Sequence, residues 1–341
     1  MISKLRLLLD RFTLILVAVV AAATLLPAHG VGAVFFKNLT TAAIALLFFL
    51  HGAKLSREAI IAGATHWRLH GVIFIWTFVI FPLIGWALRP VLVPLLGEHL
   101  YVGVMYLCVL PGTVQSAIAF TSIGRGNVPA AVCAASASSI IGIVVTPLLL
   151  QLLLETDTSA LDSSSLLQSI VHIGEQIFLP FVAGHLMRPL VGRWMDGHRT
   201  LVRAVDQSSI LLVVYTAFSE SVIAGLWNQV DPLSLGLLVV TCCVLLAIVL
   251  VLNTWSTRKL GFSRADEVTI VFCGSKKSMA TGVPMAGVLF SAGAIGPVLL
   301  PLMIFHQIQL MVCAVLAQNY QRHAPPEPGH RHAHEKGRLP A

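Results

Sequence analysis

Lys276 and Lys277 stand side by side in Phe272-Cys-Gly-Ser-Lys-Lys-Ser-Met-Ala-Thr-Gly-Val-Pro284, within an otherwise apolar run. Two ammonium groups between the hydroxyls of Ser275 and Ser278 can bind an anion, exchange a proton, or act as fixed internal cations. The run itself reads as a membrane helix. A charged side chain near the bilayer centre costs about 2.5–3.5 kcal/mol on insertion scales and normally faces protein interior or a water-filled cavity. Gly274, Gly282 and Pro284 flank the pair, so the backbone is expected to leave regular helical geometry there. Irregular backbone at membrane depth survives only where protein or a cavity surrounds it. The stretch is therefore read as half of a polar site.

The other half is Leu110-Pro-Gly-Thr-Val-Gln-Ser-Ala. Gly112 matches Gly274, Thr113 matches Ser275, Gln115 matches Lys277 and Ser116 matches Ser278. Breaks are expected at Pro111, Gly112 and Gly274. Each copy leads through an apolar run to a Gly-rich turn and a Pro (Pro129; Pro297) that suits the first turn of the next helix. Taken singly, such Gly-Ser/Thr pairs are also what close helix packing uses; the matched copy with two lysines favours a site. Helices starting after the breaks aim free N–H groups and a partial positive charge at the crossing point. With Thr113, Gln115, Ser116, Ser275, Lys276, Lys277 and Ser278 this makes an electropositive, donor-rich pocket for a small organic anion, one that disfavours a bound cation. Desolvation of a lysine offers a route to proton coupling. The alternative is an internal cation paired with an acid such as Glu220. Successive helical residues lie about 100° apart, so one lysine can face the cavity without the other. Lys277, aligned with Gln115, is favoured. Glu220 and His306 are further candidates. Gln307 and Gln309 either line the pocket or bond between helices; His51, His172, Glu175 and His185 read as interfacial or packing residues. The small residues from Ala130 to Gly142 read as a packing face.

These residues need long apolar elements to carry them. The chain is 57% hydrophobic and 11% charged over 341 residues, with a mean hydropathy of +0.86, which reads as a polytopic membrane protein. Ten spans are expected at 12–28, 36–53, 70–88, 100–123, 128–153, 166–187, 208–227, 232–256, 265–290 and 295–319, with a connector at 90–97. With both termini cytoplasmic, eighteen Lys and Arg residues fall inside and two, Lys37 and Arg89, outside. That distribution satisfies the positive-inside rule. It also explains the net charge of +7 without a nucleic-acid partner. The outer loop after span five holds Glu155, Asp157 and Asp162 and no basic residue. The basic, apolar start imitates a signal peptide but runs the length of a full span. Six cysteines fall within apolar spans, without metal-ligand spacing; Cys273 borders the site.

The fold class expected is an all-α membrane protein of two inverted five-helix repeats, 1–155 and 156–320, with crossing broken helices 4 and 9. A Pro- and His-rich tail follows at 321–341, expected to be disordered; His323, His330, His332 and His334 there read as solvated rather than metal-binding. Inverted repeats with broken helices at the midplane are a secondary-transporter plan.

Leu110-Pro-Gly-Thr-Val-Gln-Ser, Gly124-Arg-Gly-Asn127, Thr146-Pro147 and Gly274-Ser-Lys-Lys-Ser278 resemble the bile acid:sodium symporter family (solute carrier family 10). They look most like its divergent SBF-like branch, which holds the seventh member and bacterial relatives. The resemblance covers residues 5–320. It implies a panel of spans 1, 2, 6 and 7, a core of spans 3–5 and 8–10, and alternating access by movement of one against the other. Sodium-coupled members carry Ser-Asn after the fourth-helix break, where this chain has Ser116-Ala117. Their fifth-helix hydroxyl ligands fall on Ala131 and Ala135, their ninth-helix Glu on Phe272, and the following Gln-Asn on Lys276 and Lys277. Methyl groups and ammoniums supply no oxygen ligands for a hard cation, so both sodium sites are expected to be lost and no cofactor is implied. The expectation is a sodium-independent or proton-coupled transporter of an organic anion in the bacterial inner membrane. The alternative is a transporter-fold regulator or receptor in ion homeostasis. No nucleophile–base pair of an enzyme stands in the sequence.

Overall fold

The computed structural model describes residues 11–54, 66–154, 175, 178–223, 225, 231–290 and 292–323. Among them every regular element is helical. The elements are α1 (Arg11–Leu25), α2 (Gly30–Lys54), α3 (Trp67–Ala87, with one π turn at Trp76–Ile80), α4 (Arg89–Leu96), α5 (Glu98–Val109), α6 (Gln115–Ile123) and α7 (Val128–Leu154). They continue with α8 (Leu179–Gly197), α9 (Arg199–Ile223), α10 (Pro232–Lys259), α11 (Arg264–Gly274), α12 (Met279–Leu289) and α13 (Ala292–Arg322). Six of these helices are long and apolar enough to cross a membrane: α2, α3, α7, α9, α10 and most of α13. Local sequence starts them as helix chemistry requires. Asp231 caps α10 by accepting from Ser234 N–H at 3.1 Å, with Pro232 in the first turn. Ser263 caps α11 by accepting from Asp266 N–H at 3.2 Å. Each cap satisfies an N–H that the helix leaves free.

The helices pack as two groups. In one, α8 lies along α2, and α9 packs on α1 and α2; in the other, α3 and α5–α7 surround α10–α13. Contact of α9 with α12 and α13 joins the groups. Glycine sets the closest approach inside the first group. A Cβ on Gly52 would overlap the Phe181 carbonyl, and one on Gly184 would overlap the Phe49 carbonyl. Both obstacles are backbone, which no rotamer change can move.

Two sequence expectations change here. The stretch at 90–97 is the helix α4, with Pro90 in its first turn and Gly97 closing it at φ +79°. Proline belongs in a first turn because its missing N–H is not needed there. Second, α8 and α9 run well past the apolar stretches and carry Arg188, Arg193, Arg199 and Arg203 as helical residues, not loop residues. Apolarity marks where lipid lies, while arginine is itself a good helix former. Glu155, Asp157, Asp162, His172, His330, His332 and His334 lie outside the described residues.

Gly52→Ala and Gly184→Ala are each expected to lower the melting temperature of the purified protein in detergent, by the equivalent of about 1–3 kcal/mol for overpacking. Gly32→Ala, which meets open space, should leave it unchanged or raise it.

Candidate functional site

Two helix breaks face each other. The first separates α5 from α6 over 110–114, and the second separates α11 from α12 over 275–278. They touch directly: Ser278 N–H donates to Pro111 O at 2.9 Å. Pro111 lacks an N–H, so the α5 ladder cannot continue through it, and Leu110 turns extended at ψ 152°. Several of the carbonyls so released find other donors. Leu107 O accepts from Leu110 N–H at 3.4 Å, and Pro111 O from Ser278 N–H. Val109 O accepts from Thr146 Oγ1 at 2.9 Å. Gly112 N–H, the ordinary helical partner of Cys108 O, instead donates to Ser138 Oγ at 3.1 Å. Cys108 O and Leu110 O find theirs in the second break.

Lys277 takes both. Its Nζ donates to Cys108 O at 2.7 Å, Leu110 O at 2.8 Å and Thr77 O at 2.8 Å. An ammonium has three donors, and here all three are used. The Phe81 ring lies 4.3 Å from Nζ, a cation–π distance, and the residue is 0% exposed. The third acceptor exists because of α3's π turn. There Phe81 N–H reaches back to Trp76 O, and Pro82 has no N–H to offer, so Thr77 O is orphaned within its own helix. The Lys277 peptide is fixed from the other side by Gln309, whose Oε1 accepts from Lys277 N–H and whose Nε2 donates to Lys277 O, both at 2.9 Å. The same Nε2 lies 2.9 Å from His306 Nδ1. Because an amide nitrogen only donates, that Nδ1 is the acceptor and the ring proton belongs on Nε2.

Lys276 is also 0% exposed, yet its Nζ has no hydrogen-bond partner. It lies 4.2 Å from the centre of the Phe120 ring. The two adjacent lysines therefore do different work, one saturated by carbonyls and one held against an aromatic face.

Open space lies elsewhere. A cavity of about 220 Å³ sits between the two helix groups, with Phe48, His51 and Lys54 of α2 and Phe181 of α8 on one wall. Val114 and, from α6 and α7, Gln115, Ile118, Ser136 and Ser139 form much of the other wall. A second cavity of about 250 Å³ shares Lys54 and Gln115 and adds Arg188, Arg199 and Arg203. Lys54 pairs with Asp206 of α9, whose side chain is 5% exposed against 33% for Lys54. His51 Nδ1–H donates to Leu47 O at 2.8 Å.

Of the residues singled out from sequence, Gln115 lines both cavities. Thr113 and Ser116 hold each other beside the first break, Ser116 Oγ donating to Thr113 Oγ1 at 2.9 Å. Ser278 caps α12 by accepting from Thr281 N–H at 3.3 Å, and Ser275 bonds back to Val271 O. Neither Lys276 nor Lys277 lines either of these two cavities; both side chains are 0% exposed, packed within protein. Glu220 is no counter-ion to them. It lies in the last turn of α9, lines neither cavity, and makes no salt bridge with a described residue. His306 lines no cavity either and serves Gln309. Gly274 ends α11 rather than standing inside the break. A Cβ there would lie 2.9 Å from Asn253 Nδ2 and 3.1 Å from Trp76 Cβ, so its smallness lets α11 approach α3 and α10. Thr77, Lys54 and Asp206 are not among the site residues expected from sequence, and Ser138 is expected only on a packing face. Pro82, placed mid-span in α3, was the signal that could have found the orphaned Thr77 carbonyl.

Residues 10–322 match the model of the SBF-like CPA transporter family. An uncharacterized protein of Pseudomonas aeruginosa is 59% identical over 320 residues, covering 94% of this chain and 95% of the relative. The protein YfeH of Escherichia coli is 56% identical, at 94% and 95% coverage. Sodium/bile acid cotransporter 7 of Mus musculus is 31% identical over 308 residues, at 88% and 89%.

The lysines should separate in a stability test. Lys277→Met orphans three buried carbonyls, each costing about 1–3 kcal/mol, and is expected to melt well below the wild type in detergent. Lys276→Met removes a buried ammonium that has no hydrogen bond and should melt at or above the wild-type temperature. Equal melting of the two variants would refute the division of roles.

Proposed function

The chain belongs to the SBF-like CPA transporter family, and on that premise we propose a sodium-independent secondary transporter of an organic anion that works by alternating access. The observation that carries the reading is Lys277. Its ammonium fills a cage of three carbonyl oxygens at the crossing of the two breaks, so the positive charge that a bound cation would bring there is covalently built in. A hard cation would need those oxygens, and they are occupied.

Further support comes from the layout. The cavity lies between the two helix groups, and its cationic Lys54, with Arg188, Arg199 and Arg203 next door, suits a carboxylate or a similar anionic group. We read α1, α2, α8 and α9 as a panel and the remaining helices as a core that moves against it. The paired breaks support two inverted five-helix repeats, ten spans in all, with helices 4 and 9 each made of two pieces. The excess of Lys and Arg on one side supports cytoplasmic termini in the bacterial inner membrane.

Proteoliposomes with separately imposed sodium, proton and potential gradients test the reading: accumulation of an organic anion that sodium does not alter is the expected result, and sodium-driven accumulation would overturn it. The cage itself makes a second prediction. Wild-type melting should be the same in sodium chloride and choline chloride, whereas Lys277→Ala, with its carbonyls emptied, should melt higher in sodium than in choline.

A further inference from the structure

Lys54 and Asp206 form the one ion pair among the described residues that borders a cavity at one end and is buried at the other. Lys54 lines both cavities, where they meet beside Gln115. Asp206 sits behind it on α9; its Oδ2 meets Lys54 Nζ while its Oδ1 is buried without a hydrogen-bond partner among the described residues. Lys54 is thus the sole salt-bridge partner of Asp206 among the described residues, and Asp206 occupies the cationic group that an entering anion would seek.

Resting on the transport reading above, we propose that substrate anion and Asp206 exchange places on Lys54 and that Asp206 leaves the pair protonated, so that the anion is carried together with one proton. The charges balance. Before exchange, Lys54 ammonium faces Asp206 carboxylate; after it, Lys54 ammonium faces the substrate's anionic group, and Asp206 is a neutral acid holding the proton that entered. An unpaired carboxylate left in that buried place costs several kcal/mol, and such a group neutralises rather than stays charged. The other charged and titratable groups around it do not substitute for Lys54. On α2, His51 donates Nδ1–H to Leu47 O. On α8, Arg188 Nη1 is spent on Ala53 O at 2.7 Å. On α9, Arg199 lies 3.8 Å from Asp196, and Arg203 is exposed on the second cavity.

The exchange also explains why the two cationic devices of this chain differ. Lys277 is locked to carbonyls that cannot leave, so it provides constant charge. Lys54 is held by a side chain that can leave, so it provides a switchable one.

Isothermal titration of the purified full-length protein in two buffers of different ionisation enthalpy reads the number of protons taken up per anion bound. The probes are succinate, benzoate, taurocholate and sulfate. For any probe that binds the wild type, close to one proton per anion is expected near neutral pH. Asp206→Asn should bind with close to none, and Lys54→Gln should weaken binding at least tenfold. Binding to the wild type without proton uptake would overturn the exchange while leaving anion transport standing, a result that needs no variant to fold. Uptake lost in His51→Gln but kept in Asp206→Asn would move the proton to the imidazole and also overturn it. Failure of all four probes to bind would remove the anion reading and this proposal together.

Discussion

No backbone carbonyl at membrane depth can be left without a donor, because there is no water to supply one. A helix broken at Pro111 and a π turn made rigid by Pro82 release several such carbonyls at one place. The structure answers with a single ammonium that gathers three of them from two helices. Charge burial and backbone exposure are each costly alone. Together, each offsets the other, and the crossing of the two breaks becomes a fixed, hydrogen-bonded joint.

That joint explains why the neighbouring residues have the identities they do. Gln309 carries a side-chain amide, which can accept from a peptide N–H and donate to its C=O at once, and it does both for Lys277. Ser138 and Thr146 reach from α7 to serve the first break. Gly112 lies so close to the second break that a Cβ would sit 3.0 Å from Cys273 O. Most of the polar groups read from sequence as a binding pocket are engaged here with backbone groups, and Thr113 and Ser116 with each other. The space open to a ligand lies on the flank of the joint, against α2 and α8.

The two break segments are similar in sequence pattern and different in use. Gln115 faces the cavities while its counterpart Lys277 is sealed inside. The break in the second half also begins later relative to its glycine, so that Gly274 still belongs to α11. A charged residue at the equivalent position in the first half would project into open space, where it would have no carbonyls to hold. The asymmetry places a carbonyl-bound lysine on one side of the crossing and an accessible amide on the other.

Sequence alone determined the all-helical membrane architecture, because long apolar runs announce themselves by composition, and six of the helices are long and apolar enough to cross a membrane. It also located both breaks, since the Pro-Gly pair at 111–112 interrupts a helix and a lysine pair at membrane depth cannot sit in a plain lipid-facing one. Tertiary structure alone decided where each lysine points. Adjacent residues in an unwound segment have no helical phase to reveal their faces, and the acceptors of Lys277 come from residues about 170 to 200 positions away. The same distance hid Asp206, whose meaning depends on the Lys54 that α2 brings to it. Glu220, more conspicuous in its apolar span, proved less connected, because a charge is given its role by what packs against it and not by its rarity in the sequence.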